Sequence, residues 1–149
     1  HLGSDGRNGD YLTLRGVGSR IPVSYKTIDE RLHYIKMDGS EVFKFAVRIM
    51  GSAALKALEL SNLKIEEIDY LVPHQANIRI IEASAKRLKI PMEKVYVNLD
   101  QYGNMSAASV PVALDEVAKK GLIKKGDIVL MVAFGGGLTW GSSIVKWIK

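Results

Sequence analysis

A nearly unbroken apolar run near the C-terminus constrains the fold of this chain more than any other feature. Residues 127–134 read Asp-Ile-Val-Leu-Met-Val-Ala-Phe. A strand is apolar on both sides when both faces of its sheet are covered, so the run predicts a central strand between layers of helices. Three glycines follow, and residues 138–148 then predict a last strand that pairs antiparallel with the run as a hairpin.

Helical and strand-like patterns alternate along the rest of the chain. Apolar residues recur at spacings of three and four over residues 42–60, which predicts an amphipathic helix of about five turns. The predicted order is β-α-β-α-β-α-β-β, which indicates a layered α/β unit with helices on both faces of a mixed sheet. The other predicted strands are 32–37, 69–72 and 95–99, and the other predicted helices are 77–88 and 106–120.

Composition excludes several classes of function. The chain has no cysteine, so it can hold no disulfide, thiolate metal site or cysteine nucleophile, and a disulfide-free chain fits the cytoplasm. No apolar run approaches the roughly 20 residues that span a bilayer. The net charge of +5 favours an anionic partner or simply a solvated surface rich in lysine. No Lys/Arg run is interleaved with aromatic residues, which argues against nucleic acid as the partner.

Polar residues follow the carboxyl ends of three predicted strands. His74 follows the strand 69–72, Asn104 follows the strand 95–99, and Gly135–Gly137 follow the central strand. Such loops converge on one crevice above a sheet. A histidine and an amide donor beside glycine backbone suit negative charge on a carbonyl oxygen. Each feature also has an ordinary structural explanation, since a strand-end histidine, a Tyr-Gly-Asn turn and a glycine hairpin occur without catalysis.

Three longer motifs carry a resemblance to a known family. Residues 72–79 (Val-Pro-His-Gln-Ala-Asn-Ile-Arg), 102–111 (Tyr-Gly-Asn-Met-Ser-Ala-Ala-Ser-Val-Pro) and 133–141 (Ala-Phe-Gly-Gly-Gly-Leu-Thr-Trp-Gly) stand in this order. Together they resemble the histidine, asparagine and glycine-hairpin motifs of β-ketoacyl-acyl carrier protein synthase III. Residues 37–44 are similar to the start of a helix in that family. The likeness covers nearly the whole chain.

The resemblance implies a thiolase-like fold built from two similar βαβαβαββ halves, of which this chain is similar to the second. Residues 1–26, rich in Gly, Ser and Arg, would then be the tail of the preceding half-domain's last strand plus a loop. Residues 27–149 would be the C-terminal half-domain with a mixed five-stranded sheet. Members of the family use a Cys-His-Asn triad, and the cysteine lies in the N-terminal half.

The resemblance also implies a reaction and its residues. The enzyme joins an acyl-CoA starter, expected to be acetyl-CoA, to malonyl-acyl carrier protein with loss of CO₂, which initiates type II fatty acid synthesis. His74 and Asn104 would stabilise the enolate. Phe134, Gly135 and Gly136 would form the oxyanion hole and the reaction pocket, with the Gly136 backbone in the oxyanion hole and Phe134 lining the pocket. No metal or cofactor is implied. The expected partners are the N-terminal half, acyl carrier protein, a coenzyme A thioester and a second copy of the full enzyme. The segment expected to bind carrier protein and coenzyme A is Gln75, Ala76, Asn77, Ile78 and Arg79.

One residue departs from the family's pattern, and two other functions stay open. Met105 stands where the family usually has threonine. The change removes a hydroxyl beside Asn104 and predicts a packing change with the asparagine retained. A related synthase of secondary metabolism, which makes alkylquinolones or polyketide starters, would carry the same motifs. An isolated half without catalysis is the non-enzymatic alternative, since the chain has no nucleophilic cysteine.

Overall fold

The computed structural model describes all residues, 1–149. Its strands are β1 (Leu2–Ser4), β2 (Leu12–Thr13), β3 (Lys36–Met37), β4 (Tyr70–Pro73), β5 (Ile128–Gly135) and β6 (Thr139–Lys146). Its α-helices are α1 (Tyr25–Asp29), α2 (Gly39–Ser61), α3 (Ile78–Leu88), α4 (Leu99–Tyr102) and α5 (Ser109–Lys119). Four short 3₁₀ helices span Gly6–Tyr11, Ile65–Glu67, Met92–Lys94 and Ser106–Ala108.

The main sheet is mixed and has the strand order β1-β6-β5-β4. The apolar strand β5 lies inside it, parallel to β4 and antiparallel to β6. Strand β1 pairs antiparallel with β6 at the edge. Because β4 and β5 are parallel, their carboxyl ends meet at one edge of the sheet, which brings Pro73 level with Val132.

Helices cover both faces of the sheet, as the apolar pattern of β5 predicts. Leu130 and Val132 belong to the larger core with residues of α2 and α3, among them Met50 and Ile81. Val129, on the opposite face of the strand from Leu130, belongs to the smaller core with residues of α5. Burial of each such side chain contributes about 1.5–3 kcal/mol. The predicted α/β class with a mixed, helix-covered sheet is therefore confirmed.

Two predicted strands differ from the structure. Of the predicted strand 32–37 only Lys36–Met37 is a strand, and it pairs with β2 outside the main sheet. The predicted strand 95–99 makes one parallel bridge, between Val95 and Leu71. The N–H of Tyr96 donates to Leu71 O in β4 at 2.9 Å. Beyond that bond a side chain replaces strand pairing, because Gln75 donates to the carbonyl of Tyr96 and accepts from the N–H of Asn98. The fifth strand of the sheet is thus reduced to this bridge.

The N-terminal residues are integrated into the main sheet. The N–H of Asp5 donates to Leu138 O at 2.8 Å, and the N–H of Leu138 donates to Asp5 O at 3.0 Å. A domain boundary near residue 26 remains a prediction. No helix combines the length and the apolar character needed to cross a bilayer.

Candidate active site

His74 extends the strand β4 by one residue and then leaves the sheet. Its N–H donates to Val132 O at 2.8 Å, which continues the parallel ladder, and its own carbonyl accepts from the N–H of Ala76 at 3.0 Å in a tight turn. The residue is only 8% exposed. Backbone bonds on both sides therefore hold the imidazole at the carboxyl edge of the sheet.

The hydroxyl of Ser109, the first residue of α5, determines the tautomer of the His74 ring. Ser109 Oγ lies 2.5 Å from His74 Nδ1 and accepts from the N–H of Gln75 at 3.3 Å. Ser109 is fully buried, so its own proton needs an acceptor, and Nδ1 is the acceptor within reach. We therefore assign the ring hydrogen of the neutral imidazole to Nε2, which leaves Nε2–H as the free donor.

Burial keeps this imidazole uncharged. Desolvation lowers the pKa of His74 below its ordinary value, because the charged form loses hydration in the interior. The ring of Phe134 meets the imidazole edge-on, with 5.5 Å between the ring centroids. His74 is therefore suited to donate a hydrogen bond from a neutral ring.

Gln75, the first residue of the predicted binding segment, lies in the interior of the chain. Its side chain is fully buried, and its Nε2 donates to Pro73 O at 2.9 Å and to Tyr96 O at 3.1 Å. Its Oε1 accepts from the N–H of Asn98 at 3.1 Å. These three bonds use both donors of the amide and engage its oxygen, so Gln75 acts here as a support between β4 and the segment that follows Val95.

The rest of the predicted binding segment starts the helix α3. Asn77 is its N-cap and accepts from the N–H of Arg79 at 2.9 Å, which satisfies one of the unpaired donors of the first turn. Ala76 is half-buried, whereas Asn77, Ile78 and Arg79 are exposed. The exposed cations of this helix and its C-cap are Arg79, Lys86, Arg87 and Lys89.

Asn104 follows the short helix α4 and is exposed. Gly103, with φ +65°, ends that helix, and this positive φ suits glycine. Asn104 Oδ1 accepts from the N–H of Ser106 at 2.9 Å, which leaves the carboxamide NH₂ as the group free to donate. No hydrogen bond joins Asn104 to His74, but Ser109, five residues later, contacts the His74 ring directly. Met105 beside Asn104 is half-buried.

The glycine hairpin begins where β5 ends. Gly135 is the last residue of β5, and Gly136 is exposed in the turn, with its N–H unused by any turn or loop hydrogen bond of the chain. A Cβ at Gly136 would lie 3.3 Å from Leu12 O, so the backbone of Leu12 packs closely on it. The turn therefore presents a free backbone donor at the same edge of the sheet as His74.

The structure brings together residues that the sequence motifs only placed in order. His74 contacts both Ser109 and Phe134, and the sequence motif that contains Ser109 assigns this residue no role. Nothing in its spacing indicates contact with His74, because the bond joins residues 35 positions apart. No group of three or more His, Cys, Asp or Glu side chains is arranged to hold a metal ion.

A family model decides which proteins this chain belongs with. The model described as 3-oxoacyl-[acyl-carrier-protein (ACP)] synthase III C terminal matches residues 58–147. The chain belongs to this family. It corresponds to the C-terminal half of the synthase, as the motifs indicated. The match includes the His74, Asn104 and Gly136 segments described above.

Curated relatives and solved structures agree with this assignment. The β-ketoacyl-[acyl-carrier-protein] synthase III of Clostridioides difficile is 63% identical over 147 residues, covering 99% of this chain and 45% of the relative. That of Roseiflexus sp. is 48% identical over 146 residues, covering 98% of this chain and 44% of the relative. The chain thus spans less than half the length of these members of the synthase III family.

The structural likeness is equally extensive. The synthase III crystal structure from Thermus thermophilus has a TM-score of 0.87 at 47% identity, covering 99% of this chain and 44% of that one. The structure from Pseudomonas aeruginosa has the same TM-score at 37% identity, covering 100% and 43%. The arrangement of strands and helices described here is therefore that of the synthase III family.

Proposed function

We propose that this chain is the C-terminal half of a condensing enzyme that joins an acyl-CoA starter, expected to be acetyl-CoA, to malonyl-acyl carrier protein with loss of CO₂. The reaction would initiate type II fatty acid synthesis. One observation carries the proposal most strongly: a neutral His74 with its Nε2–H free to donate, at the carboxyl edge of the sheet. The family membership of the chain supports the same reaction.

The first step needs a cysteine from outside this chain, which has none. The cysteine sulfur would attack the carbonyl of the acyl thioester, and the coenzyme A thiolate would leave with the cysteine's proton. Negative charge develops on the carbonyl oxygen during this transfer. The free N–H of Gly136 would stabilise that charge together with the N–H of the cysteine, while Gly135 and Phe134 would line the pocket.

The second step uses the side chains of this chain. When the malonyl thioester loses CO₂, the electron pair of the broken C–C bond moves into an enolate on the thioester oxygen. His74 Nε2–H and the Asn104 NH₂ would both donate to that oxygen. Removal of one such donor typically lowers the rate about 10²–10³-fold. The carbanion then attacks the acyl-cysteine carbonyl, and the cysteine thiolate leaves as the carbon–carbon bond forms.

A neutral imidazole suits this role better than a charged one. The Nε2–H donates without a formal proton transfer, so the ring needs no change of protonation during the cycle. The bond from the Ser109 hydroxyl to Nδ1 keeps the hydrogen on Nε2. Protonation of His74 would add a second ring hydrogen, at Nδ1, which would face the hydrogen that the Ser109 hydroxyl donates. Activity should therefore fall at acidic pH.

The exposed start of α3 is the proposed docking site for the acyl carrier protein and for the coenzyme A thioester. Ala76, Asn77, Ile78 and Arg79 form this start, and the buried Gln75 directly before them connects β4 to the segment after Val95. Lys86, Arg87 and Lys89 continue the basic surface along and just beyond the helix. Charges of this kind chiefly accelerate the encounter with an acidic partner and weaken with salt.

Further parts of the proposal concern assembly and setting. The chain would function with a cysteine-bearing N-terminal half, in a full enzyme that forms a homodimer in the cytoplasm, without a metal, cofactor, nucleic acid or membrane.

The alternative of a starter enzyme in secondary metabolism has one specific support. The crystal structure of the priming β-ketosynthase from the R1128 polyketide pathway has a TM-score of 0.82 at 33% identity, covering 99% of this chain and 44% of that one.

The experiment joins this chain to the N-terminal half of the Clostridioides difficile relative and measures formation of 3-ketoacyl carrier protein. We expect condensation from acetyl-CoA that is lost in His74→Ala and Asn104→Ala. His33→Ala is the matched control, because His33 is exposed and should be dispensable. An inactive assembly, or equal activity in His74→Ala and His33→Ala, would contradict the proposal. Preference for a longer or branched starter would favour the secondary-metabolism alternative.

A further inference from the structure

Glu116 on α5 is the common acceptor for three side chains from one short segment. Its Oε1 accepts from the Tyr102 hydroxyl at 2.8 Å, and its Oε2 accepts from Asn98 Nδ2 at 2.8 Å and from the Tyr96 hydroxyl at 3.1 Å. All three donors lie within the eight residues that precede Asn104. Hydrogen bonds that an ionised carboxylate accepts are stronger than hydrogen bonds between neutral groups.

Asn98 connects this carboxylate to the support of the histidine. Its side chain is fully buried, and its N–H donates to Gln75 Oε1 while its Nδ2 donates to Glu116. Asn98 Oδ1 is the one buried side-chain polar atom in the chain that has no hydrogen-bond partner. A buried amide oxygen without a partner is costly, and the bond to Glu116 is the one hydrogen bond of the Asn98 side chain that offsets this cost.

Tyr102 is the contact nearest to Asn104, only two residues before it. It ends α4, which has four residues. A single helical turn is unstable alone, since one turn orders several residues for very few hydrogen bonds. The position of Asn104 therefore depends on what holds α4 in place, and Glu116 makes a side-chain hydrogen bond to its last residue.

The helix α5 carries both contacts at a fixed separation. Ser109 at its start bonds the His74 ring, and Glu116, seven residues or about two turns later, bonds Tyr102. Residues seven apart lie on one face of a helix. Lys120, one turn beyond Glu116, donates to the Tyr96 hydroxyl at 2.7 Å and closes the network. The bonds from Asn98 and Tyr102 lower the pKa of Glu116, so the carboxylate stays ionised at neutral pH.

We propose that Glu116 is a positioning residue for Asn104: through Tyr102 and Asn98 it fixes the Asn104 carboxamide relative to the His74 ring. The inference rests on the proposed decarboxylation role of Asn104. It assigns a function to a residue outside the three motifs, on the helix that begins within the second motif.

The first test observes Asn104 without any assay of activity. In the 149-residue chain, Glu116→Gln should shift the side-chain ¹⁵NH₂ resonance of Asn104 and accelerate hydrogen exchange over residues 102–106. Tyr102→Phe, which removes one bond and keeps the carboxylate, should act in the same direction with a smaller effect. Asp115→Asn is the matched control, since the neighbouring exposed Asp115 pairs only with Lys119 at 2.8 Å. Unchanged Asn104 resonances in both test variants would overturn the inference.

The second test uses the assembled enzyme described above. Glu116→Gln should lower kcat for malonyl decarboxylation about 10-fold or more, because displacement of a catalytic donor by a fraction of an ångström is costly. KM for the malonyl carrier and the rate of acyl transfer to the cysteine should not change. An equal loss of both steps would indicate a merely structural role and overturn the inference. If the wild-type assembly is inactive, the proposed function fails, while the resonance of Asn104 still decides the role of Glu116.

Discussion

Gln75→Leu probes the structural link on which the His74 loop depends. Leucine has nearly the same volume but leaves three buried backbone groups without their partner: Pro73 O, Tyr96 O and the Asn98 N–H. Each unsatisfied buried group costs about 1–3 kcal/mol. With some relaxation around the site, we expect a loss of about 3 kcal/mol in the free energy of unfolding, a large part of the stability of an ordinary domain.

Urea denaturation of the chain, followed by circular dichroism, measures this loss. Gln101→Leu is the matched control, because Gln101 is exposed on α4 and makes no side-chain hydrogen bond. Its midpoint should stay close to that of the wild type. A Gln75→Leu midpoint equal to that of Gln101→Leu would show that the three bonds contribute nothing to the stability of the fold.

Gln75→Glu separates hydrogen bonding from shape within the same experiment. The carboxylate can still accept from the Asn98 N–H but would face two carbonyl oxygens, so burial and repulsion should raise its pKa. A group with a raised folded-state pKa stabilises below its unfolded pKa, and that stability is lost as pH rises through the folded pKa. We therefore expect the variant to be more stable relative to wild type at pH 4 than at pH 7.

Three further outcomes are expected. Ser109→Ala removes the partner of His74 Nδ1 and the acceptor of the Gln75 N–H, so ¹⁵N spectra should show mixed His74 tautomers, and a pure Nε2–H form would contradict the assignment. Because burial lowers the pKa of His74, the unfolded chain binds the proton first as pH falls below about 6.5, and the free energy of unfolding should fall there. His74→Phe should reduce this dependence of the free energy of unfolding on pH, with His33→Phe as the control. Arg79→Glu should slow association with acyl carrier protein at low salt and matter less at high salt, and equal effects at both salt concentrations, measured by surface plasmon resonance, would refute the docking site.

The strongest periodic patterns predicted the fold well. The helix predicted over 42–60 is α2 (Gly39–Ser61), and the one predicted over 77–88 is α3 (Ile78–Leu88). Both have apolar stripes that pack on the sheet. The spacing of the apolar residues therefore predicts the helices, because the same residues have to face the core. The apolar run of β5 likewise reports burial on two faces.

The departures arise where a distant contact outweighs local pattern. Val95 begins an apolar stretch that looks like a strand, but Gln75, twenty residues earlier, bonds the residues after it. Gln75 itself looks like part of an exposed motif and is buried. The pairing of β1 with β6 joins the two ends of the chain, and no local spacing reports it.

The site shows the same division. The positions of His74 and Asn104 at the ends of predicted elements follow from pattern, and their chemistry follows from residue type. The partners that orient them do not, since Ser109 and Glu116 act on residues 35 and 14 positions away in the chain. The sequence pattern does not distinguish a serine or glutamate that positions a site residue from one on an amphipathic helix that only faces solvent.

The proposed function assigns His74 and Asn104 to decarboxylation and not to acyl transfer. The most direct measurement follows both steps in the assembled enzyme, with CO₂ released from malonyl carrier protein on one side and acyl-cysteine detected by intact mass on the other. We predict that His74→Ala and Asn104→Ala each lower CO₂ release by about 100-fold or more while the acyl-cysteine still forms. Unchanged CO₂ release, or an equal loss of acyl-cysteine, would contradict the account.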